Sequence, residues 1–160
     1  MSELPKYSAL EIERRWLVDL SLIDDLGDFP YRLIEDLYIA DSRLRLRKII
    51  EHSGNAIFKL GKKYGKSSPL VEPITTLYLT EIEHKQLSSL PGAFISKRRY
   101  AIARGSLDIY PSVPPGIAIF ELEFESEASA RSYRPPHFVT TEVTGDPAFS
   151  GFTLADGHAV

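Results

Sequence analysis

The sequence predicts an α+β domain, mainly antiparallel β, that forms a closed or nearly closed eight-stranded β-barrel with a charged interior and a few flanking helices. Two observations predict this fold. Apolar and polar residues alternate with a period of two through most of the chain, and charged residues repeatedly share one face of the alternating segments. The 160 residues, of which 43% are hydrophobic, suffice for the core of a single domain, 1–160.

The alternating segments give eight candidate strands, which are separated by turn residues such as glycine and proline. They lie near residues 10–19, 31–40, 42–50, 55–62, 70–79, 94–103, 106–111 and 116–125. Because the breaks between neighbouring segments are short, antiparallel pairing is expected. The predicted helical segments are residues 21–26, a segment that opens at Thr80 with Glu83 in the capping-box position, one that opens at Ser126, and residues 147–154.

Composition excludes several classes of protein. The chain has no cysteine, so a disulfide framework and a thiolate metal site are excluded, and a cytoplasmic protein is expected. No segment approaches eighteen uninterrupted apolar residues, so no membrane span is expected. The formal net charge of -3 argues against bulk attraction to nucleic acid. The four histidines lack the spacing of zinc ligands.

Charged residues share one face in several candidate strands. Because residues i and i+2 of a strand point the same way, Glu11, Glu13 and Arg15 lie on the face opposite Trp16. Any one such face, taken alone, is most simply a solvated sheet surface, but three adjacent arginines on a solvated face repel one another. Together the faces predict an anionic ligand. The other charged faces are Arg43, Arg45 and Arg47; Lys97 and Arg99; and Glu121, Glu123 and Glu125.

Closure of the sheet would turn these charged faces inward and place Trp16, Phe120 and Phe124 outside, beneath the helices. An eight-stranded barrel has room for side chains and a small ligand, and closure removes exposed edges. Crowded carboxylates require protons or cations, and hard oxygen donors select Mg²⁺, Mn²⁺ or Ca²⁺. Arginine and lysine complement phosphate oxygens. An interior with both signs of charge therefore suits a metal–polyphosphate complex, for which a triphosphate is the natural size.

The segment from Glu11 to Val18 resembles the Glu-x-Glu-x-Lys signature that opens the CYTH, or triphosphate tunnel metalloenzyme, superfamily. The resemblance extends from Leu10 to about Ala155. It implies an eight-stranded tunnel in which basic residues bind a triphosphate and glutamates hold Mg²⁺ or Mn²⁺. Members include inorganic triphosphatases, thiamine triphosphatases, class IV adenylate cyclases and RNA triphosphatases. The further matching blocks are Arg45 to Lys48, Phe58-Lys59, Glu72, Ile95 to Tyr100, Asp108, Glu121 to Glu123 and Glu142 to Asp146.

The resemblance implies a role for each matching residue. Arg43 shares a face with Arg45, and it either contacts phosphate or lies at the rim beside a surface carboxylate. Arg15 stands where the signature has lysine, and a guanidinium still binds phosphate but does not accept a proton. With Glu11 and Glu13 it forms the predicted catalytic group. The implied phosphate contacts are Arg45, Arg47, Lys59, Lys97 and Arg99. The implied metal ligands are Glu11, Glu13, Glu121 and Glu123, with Glu72 and Asp108 as secondary candidates.

The predicted function is metal-dependent hydrolysis of a triphosphate, either inorganic tripolyphosphate or a nucleoside or organic triphosphate, with Mg²⁺ or Mn²⁺ as cofactor. Two alternatives stay open: a class IV-type adenylate cyclase, and a non-catalytic protein that binds polyphosphate or nucleotide. The expected partner is a small-molecule triphosphate, without specific nucleic acid or membrane, and a homodimer stays open.

The segment Gly61 to Ser67 resembles a P-loop but has three residues between its glycines where four are needed, so it is predicted to be a turn.

Overall fold

The computed structural model describes residues 3–112 and 116–157. Within these ranges the chain forms nine β-strands, three α-helices and two short 3₁₀ helices. The strands are β1 (Ala9–Val18), β2 (Arg32–Ile39), β3 (Leu44–Ile50), β4 (Ala56–Lys63), β5 (Val71–Leu79), β6 (Gly92–Ile102), β7 (Gly105–Tyr110), β8 (Ile117–Glu123) and β9 (Val139–Glu142). The α-helices are α1 (Glu81–Leu87), α2 (Glu127–Ser132) and α3 (Gly151–Ala155).

Eight of the nine strands in the described ranges form a closed antiparallel barrel. They are hydrogen bonded in the order β5-β4-β3-β2-β6-β7-β8-β1, and pairing between β1 and β5 completes the ring. Cross-strand partners point to the same side of a sheet, so the register also fixes which side chains share the interior. The eight-stranded closed barrel predicted from the sequence is therefore confirmed.

Strand β9 is an addition that the sequence does not predict. The first part of β1, Ala9 to Ile12, pairs with β5, whereas Trp16 and Val18 pair with β9. Beyond the point where β5 diverges, the backbone groups of β1 therefore pair with β9. Buried backbone N–H and C=O groups need such hydrogen-bond partners. Four residues are too few to show a period-two pattern, which is why β9 looks like a loop in the sequence.

The helices predicted to open at Thr80 and Ser126 do begin there, whereas neither of the predicted segments 21–26 and 147–154 is one continuous helix. Thr80 and Glu83 form the expected reciprocal capping box, with Thr80 N donating to Glu83 Oε2 at 2.7 Å and Glu83 N donating to Thr80 Oγ1 at 3.3 Å. The predicted segment 21–26 is only a 3₁₀ helix at Leu20–Leu22. The segment 147–154 is divided at Ser150, whose extended backbone ends one 3₁₀ helix and caps α3. None of the described helices has the length and apolar character needed to cross a lipid bilayer.

Two predicted strands extend two residues beyond the observed ones at one end. Strand β3 begins at Leu44, so Arg43 lies in the preceding turn and is exposed. The hydroxyl of Ser42 makes this turn, because it donates to Ile39 O at 2.8 Å and accepts from Leu44 N at 3.1 Å. Strand β8 ends at Glu123, so Glu125 lies beyond the sheet. Most of the predicted break between the segments 106–111 and 116–125, residues 113–115, lies outside the described residues.

The barrel interior is apolar at one end. Ile95, Tyr110 and Ile119 continue the strand faces that carry charged residues, and they pack against Leu154 of α3. Leu154 is 0% exposed, so the C-terminal helix closes this end of the barrel. A Cβ on Gly151 would overlap the Tyr38 hydroxyl, and glycine therefore permits α3 to approach the barrel this closely. The charged faces accordingly occupy only part of the interior.

The outer face of β1 and β8 carries the main aromatic cluster. Trp16 and Phe120 are cross-strand partners, and both pack against Phe138. Phe138 belongs to the segment between α2 and β9, whereas Phe124 packs near α2 against Ala130. The expected outward position of the aromatic residues is observed, although the segment before β9 covers Trp16 and Phe120 where helices were expected.

Candidate functional site

Four glutamates on neighbouring strands form an acidic cluster. Glu13 on β1 is the cross-strand partner of Glu123 on β8, and Glu11 and Glu121 lie one step away on the same faces. Burial, together with the charges of Glu121 and Glu11, raises the pKa of Glu13 to about 7. Burial, Glu11 and Glu121 also raise the pKa of Glu123. The cluster therefore favours binding of a proton or a cation.

Glu121 differs from its neighbours because cations surround it. Burial alone would raise the pKa of Glu121, but the charges of Arg99, Lys97 and Arg15 lower it below its ordinary value. Arg99 Nη2 donates to Glu121 Oε1, and Arg15 Nε lies 3.5 Å from Glu121 Oε2. Arg15 Nη1 also donates to Phe149 O at 2.8 Å. Arg15 therefore links the acidic cluster to the C-terminal segment that closes the barrel.

Asp108 is the counter-ion of two of the predicted phosphate-binding residues. It is fully buried and accepts from Lys97 Nζ at 2.5 Å. It also accepts a bidentate pair of hydrogen bonds from Arg99, each 2.7 Å long. A carboxylate that accepts hydrogen bonds from two cationic side chains fixes the orientation of both. The resemblance implies metal ligation for Asp108, whereas its contacts here are with Lys97 and Arg99.

Asp36 has the same relation to Arg47, and sequence reasoning missed it. Arg47 donates to both carboxylate oxygens of Asp36 at 2.7 Å. Burial alone would raise the pKa of Asp36, but these hydrogen bonds and the charge of Arg47 hold it below its ordinary value. The signal in the sequence is an aspartate on a strand face between two apolar residues, Ile34 and Tyr38.

Three of the predicted phosphate contacts have no carboxylate partner within the described residues: Arg43, Arg45 and Lys59. The Nε atom of Arg45 is buried and has no hydrogen-bond partner. Gly61 is the cross-strand partner of Arg45, and a Cβ there would lie 3.8 Å from Arg45 Nη2. Lys59 Nζ lies 4.9 Å from the centre of the Tyr78 ring. A buried guanidinium donor without a partner is costly, so this position favours an anion.

Lys63 is a second residue that sequence reasoning did not place beside the glutamates of the site. It lies in β4, not in a turn, and its Nζ donates to Glu11 Oε2 at 2.6 Å and lies 3.6 Å from Glu72 Oε2. Burial alone would lower the pKa of Lys63, but Glu11 and Glu13 raise it above its ordinary value. The signal in the sequence is the continued alternation of Lys59, Gly61 and Lys63 on one face.

The carboxylates of the acidic cluster are of the type that binds a divalent cation, but their present arrangement does not form a metal site. Carboxylate oxygens that repel one another are the donors that Mg²⁺ and Mn²⁺ prefer. Within residues 3–112 and 116–157, however, no three His, Asp or Glu side chains are gathered so that they hold an ion directly. Glu11 is turned toward Lys63, and Glu121 toward Arg15 and Arg99. Binding of a metal would thus require these ion pairs to rearrange.

Arg14 holds β9 and α2 against the barrel. Its guanidinium makes a bidentate pair with Glu142 at 2.8 and 2.7 Å and donates to the carbonyl oxygens of Ala130 and Tyr133. It also lies over the Trp16 ring, 4.7 Å from its centre. An arginine among apolar residues on the outer face of β1 therefore has a structural role, next to Arg15 on the inner face.

Comparison with solved structures bears on the fold. The chain is similar to the crystal structure of the inorganic triphosphatase NE1496, with 23% sequence identity, a TM-score of 0.55, and coverage of 91% of this chain and 93% of that chain. A crystal structure described as the hypothetical protein NE1496 is similar at 22% identity, with a TM-score of 0.51 and coverage of 91% and 96%. The sequence matches no protein-family model and no curated protein. The chain therefore has the fold of the inorganic triphosphatase NE1496, and the fold implied by its resemblance to the triphosphate tunnel metalloenzymes is confirmed.

Proposed function

We propose that this protein hydrolyses a triphosphate that binds inside the barrel together with Mg²⁺ or Mn²⁺. The observation that carries the proposal is the Arg45 Nε atom, which is buried, has no hydrogen-bond partner among the described residues and belongs to a guanidinium that lies against Gly61. Arg45 is on the same strand face as Arg47. A polyanion would satisfy this donor. The likeness to a solved inorganic triphosphatase supports the same substrate class.

The basic residues have distinct roles in this proposal. Arg45 and Lys59 bind phosphate oxygens directly, since neither has a carboxylate partner in the part of the chain that the structure describes. Arg47 is held by Asp36, and Lys97 and Arg99 are held by Asp108, so their positions are fixed before the substrate arrives. Preorganised charges of this kind stabilise a transition state without reorganising during the reaction. Arg43 adds a contact at the rim.

The acidic cluster supplies the metal site in this proposal. Glu11, Glu13, Glu121 and Glu123 would hold the cation, and Glu72 lies next to them as a further oxygen donor. When bound, such an ion withdraws charge from the phosphoryl oxygens and favours in-line attack by water. A soluble triphosphate as substrate agrees with a protein of the cytoplasm, where disulfide bonds are rare.

A non-catalytic polyphosphate-binding protein is the second candidate, and Arg15 favours it. Arg15 takes the place of the lysine in the family signature, and it is held by Glu121 and by the Phe149 carbonyl oxygen. A guanidinium in this position attracts phosphate but does not reproduce the compact donor geometry of an ammonium group. Binding would then persist while turnover is slow.

The test is a panel of tripolyphosphate, ATP, GTP and thiamine triphosphate with Mg²⁺, Mn²⁺ or Ca²⁺, scored for phosphate, pyrophosphate and cyclic nucleotide. Metal-dependent phosphate release is expected. Pyrophosphate with a cyclic product would instead identify a cyclase. A rise in melting temperature without turnover would identify a binder, because a ligand of the folded state alone raises its stability. Equal shifts with monophosphate and tripolyphosphate at equal ionic strength would contradict a site matched to a triphosphate.

A further inference from the structure

Lys63 places its ammonium group among the carboxylates of the proposed metal site. Its Nζ donates to Glu11 and lies 3.6 Å from Glu72, and the negative charge of Glu13 also acts on it. A lysine ammonium and a divalent cation are both compact positive charges that carboxylate oxygens attract. Lys63 therefore neutralises charge where a metal ion would do so.

The same side chain lies near the proposed phosphate anchor. Gly61, two residues earlier on the same face of β4, is the cross-strand partner of Arg45. The positive charge of Arg45 acts to lower the pKa of Lys63. The Lys63 side chain is 38% exposed, and its ammonium group stands at the end of a flexible four-carbon chain, so this group can move. A triphosphate bound to Arg45 would bring negative charge close to Lys63.

We propose that Lys63 is a binding residue with two positions, an inference that rests on the proposed function. Without metal, its ammonium group neutralises Glu11 and Glu72. When a divalent cation binds these carboxylates, the ammonium group is displaced and contacts the phosphate oxygens of the substrate. No proton is transferred, since the lysine stays charged in both positions. Lys63 thus opposes binding of the metal alone and favours binding of the metal–triphosphate complex, which couples the two ligands.

The experiment measures Mn²⁺ binding to the full chain by titration calorimetry, first without any triphosphate. Lys63→Gln should bind Mn²⁺ at least about tenfold more tightly than the wild type, because a nearby positive charge has been removed. With saturating Mn²⁺, the same variant should bind tripolyphosphate about tenfold more weakly. Lys62→Gln is the matched control, since Lys62 is exposed and its Nζ lies over the Tyr64 ring. It should change neither affinity, and Lys63→Arg should stay close to the wild type for Mn²⁺.

The opposite signs of the two effects separate this role from a structural one, which would weaken both kinds of binding. If the wild type binds Mn²⁺ and Lys63→Gln binds it equally or less tightly, the inference about Lys63 is overturned while the proposed function stands. If neither protein binds Mn²⁺, both the inference and the metal dependence of the proposed function are overturned. Mn²⁺ binding by Lys63→Gln alone would support the displacement directly.

Discussion

The same strand faces line both ends of the barrel interior, but they carry charged side chains at one end and apolar side chains at the other. Along β1, Glu11, Glu13 and Arg15 are followed on the same face by Leu17, which packs at the apolar end. Along β8, Glu121 lies on the same face as Ile119. Apolar side chains stabilise the fold by leaving water, whereas each buried charge requires a compensating partner. The apolar end therefore contributes stability, and the charged end contributes a binding site at a cost in stability.

The comparison predicts the largest effect on folding at the apolar end. Leu154→Ala removes a fully buried side chain that closes the barrel, and it should lower the free energy of unfolding by about 2–5 kcal/mol. Phe152→Ala in the same helix should cost much less, because Phe152 is 49% exposed. Urea unfolding of both variants checks this. Equal losses would mean that α3 as a whole, and not the buried contact, closes the barrel.

At the charged end the order of effects should reverse. Arg45→Gln should weaken tripolyphosphate binding about 10- to 100-fold, or about 1.4–2.7 kcal/mol, while the free energy of unfolding without ligand stays the same or rises. The reason is that the Nε atom of Arg45 is buried and has no hydrogen-bond partner among the described residues. Calorimetric binding and urea unfolding measure the two quantities. Arg98→Gln is the control, since Arg98 is exposed on the opposite face of β6. Unfolding at much lower urea would indicate a structural role for Arg45.

The fold was predictable because the period-two pattern and the turn residues are local properties of the sequence. The apolar end of the barrel was not, since alternation assigns Leu17 or Ile119 to a face but does not tell how far along the barrel axis it lies. That position depends on the stagger between strands. Strand β9 was missed because its pairing is determined by the unpaired backbone of β1, not by its own four residues.

The charged faces of the site were predictable, but the ion pairs within it were not. Arg15 and Glu121 are far apart in sequence, and their contact follows from the register of β1 on β8. Asp36 and Lys63 were missed for a different reason. Asp36 lies on a strand face between two apolar residues, which indicates a core strand, and Lys63 lies in a segment that resembles a turn. The roles of the site residues stay predictions, whereas their positions are given by the strand register.

The Asp36–Arg47 pair predicts a smaller effect, which depends on pH. The pKa of Asp36 is held below its ordinary value in the folded protein, mainly by Arg47 against the opposing effect of burial. Its contribution to stability is therefore fully present above the ordinary carboxyl pKa, near 4, and is lost as the pH falls through the folded value. Asp36→Asn should show a shallower loss of stability than the wild type between about pH 4 and pH 2. Urea unfolding across this range measures it, with the exposed Asp24→Asn as control. Parallel curves for wild type and Asp36→Asn would contradict the assignment.

The smallest expected effect concerns Arg15, which lies where the two ends of the interior meet. Its guanidinium contacts Glu121 of the charged end and the carbonyl oxygen of Phe149, which packs at the apolar end. Arg15→Lys keeps the positive charge, so triphosphate affinity should change little. Metal-dependent turnover should rise about three- to tenfold, because only the ammonium group is a compact donor that can orient an attacking water.

Single-turnover rates at saturating metal, measured beside binding constants, separate these two effects, since a steady-state KM need not equal a dissociation constant. The lost hydrogen bond to Phe149 O should lower the free energy of unfolding by only about 1 kcal/mol, which urea unfolding can verify. A brisk wild-type rate that Arg15→Lys leaves unchanged or lowers would mean that the site functions through arginine. In that case the binder alternative loses its main support, and the contact of Arg15 with the C-terminal segment becomes part of the catalytic geometry.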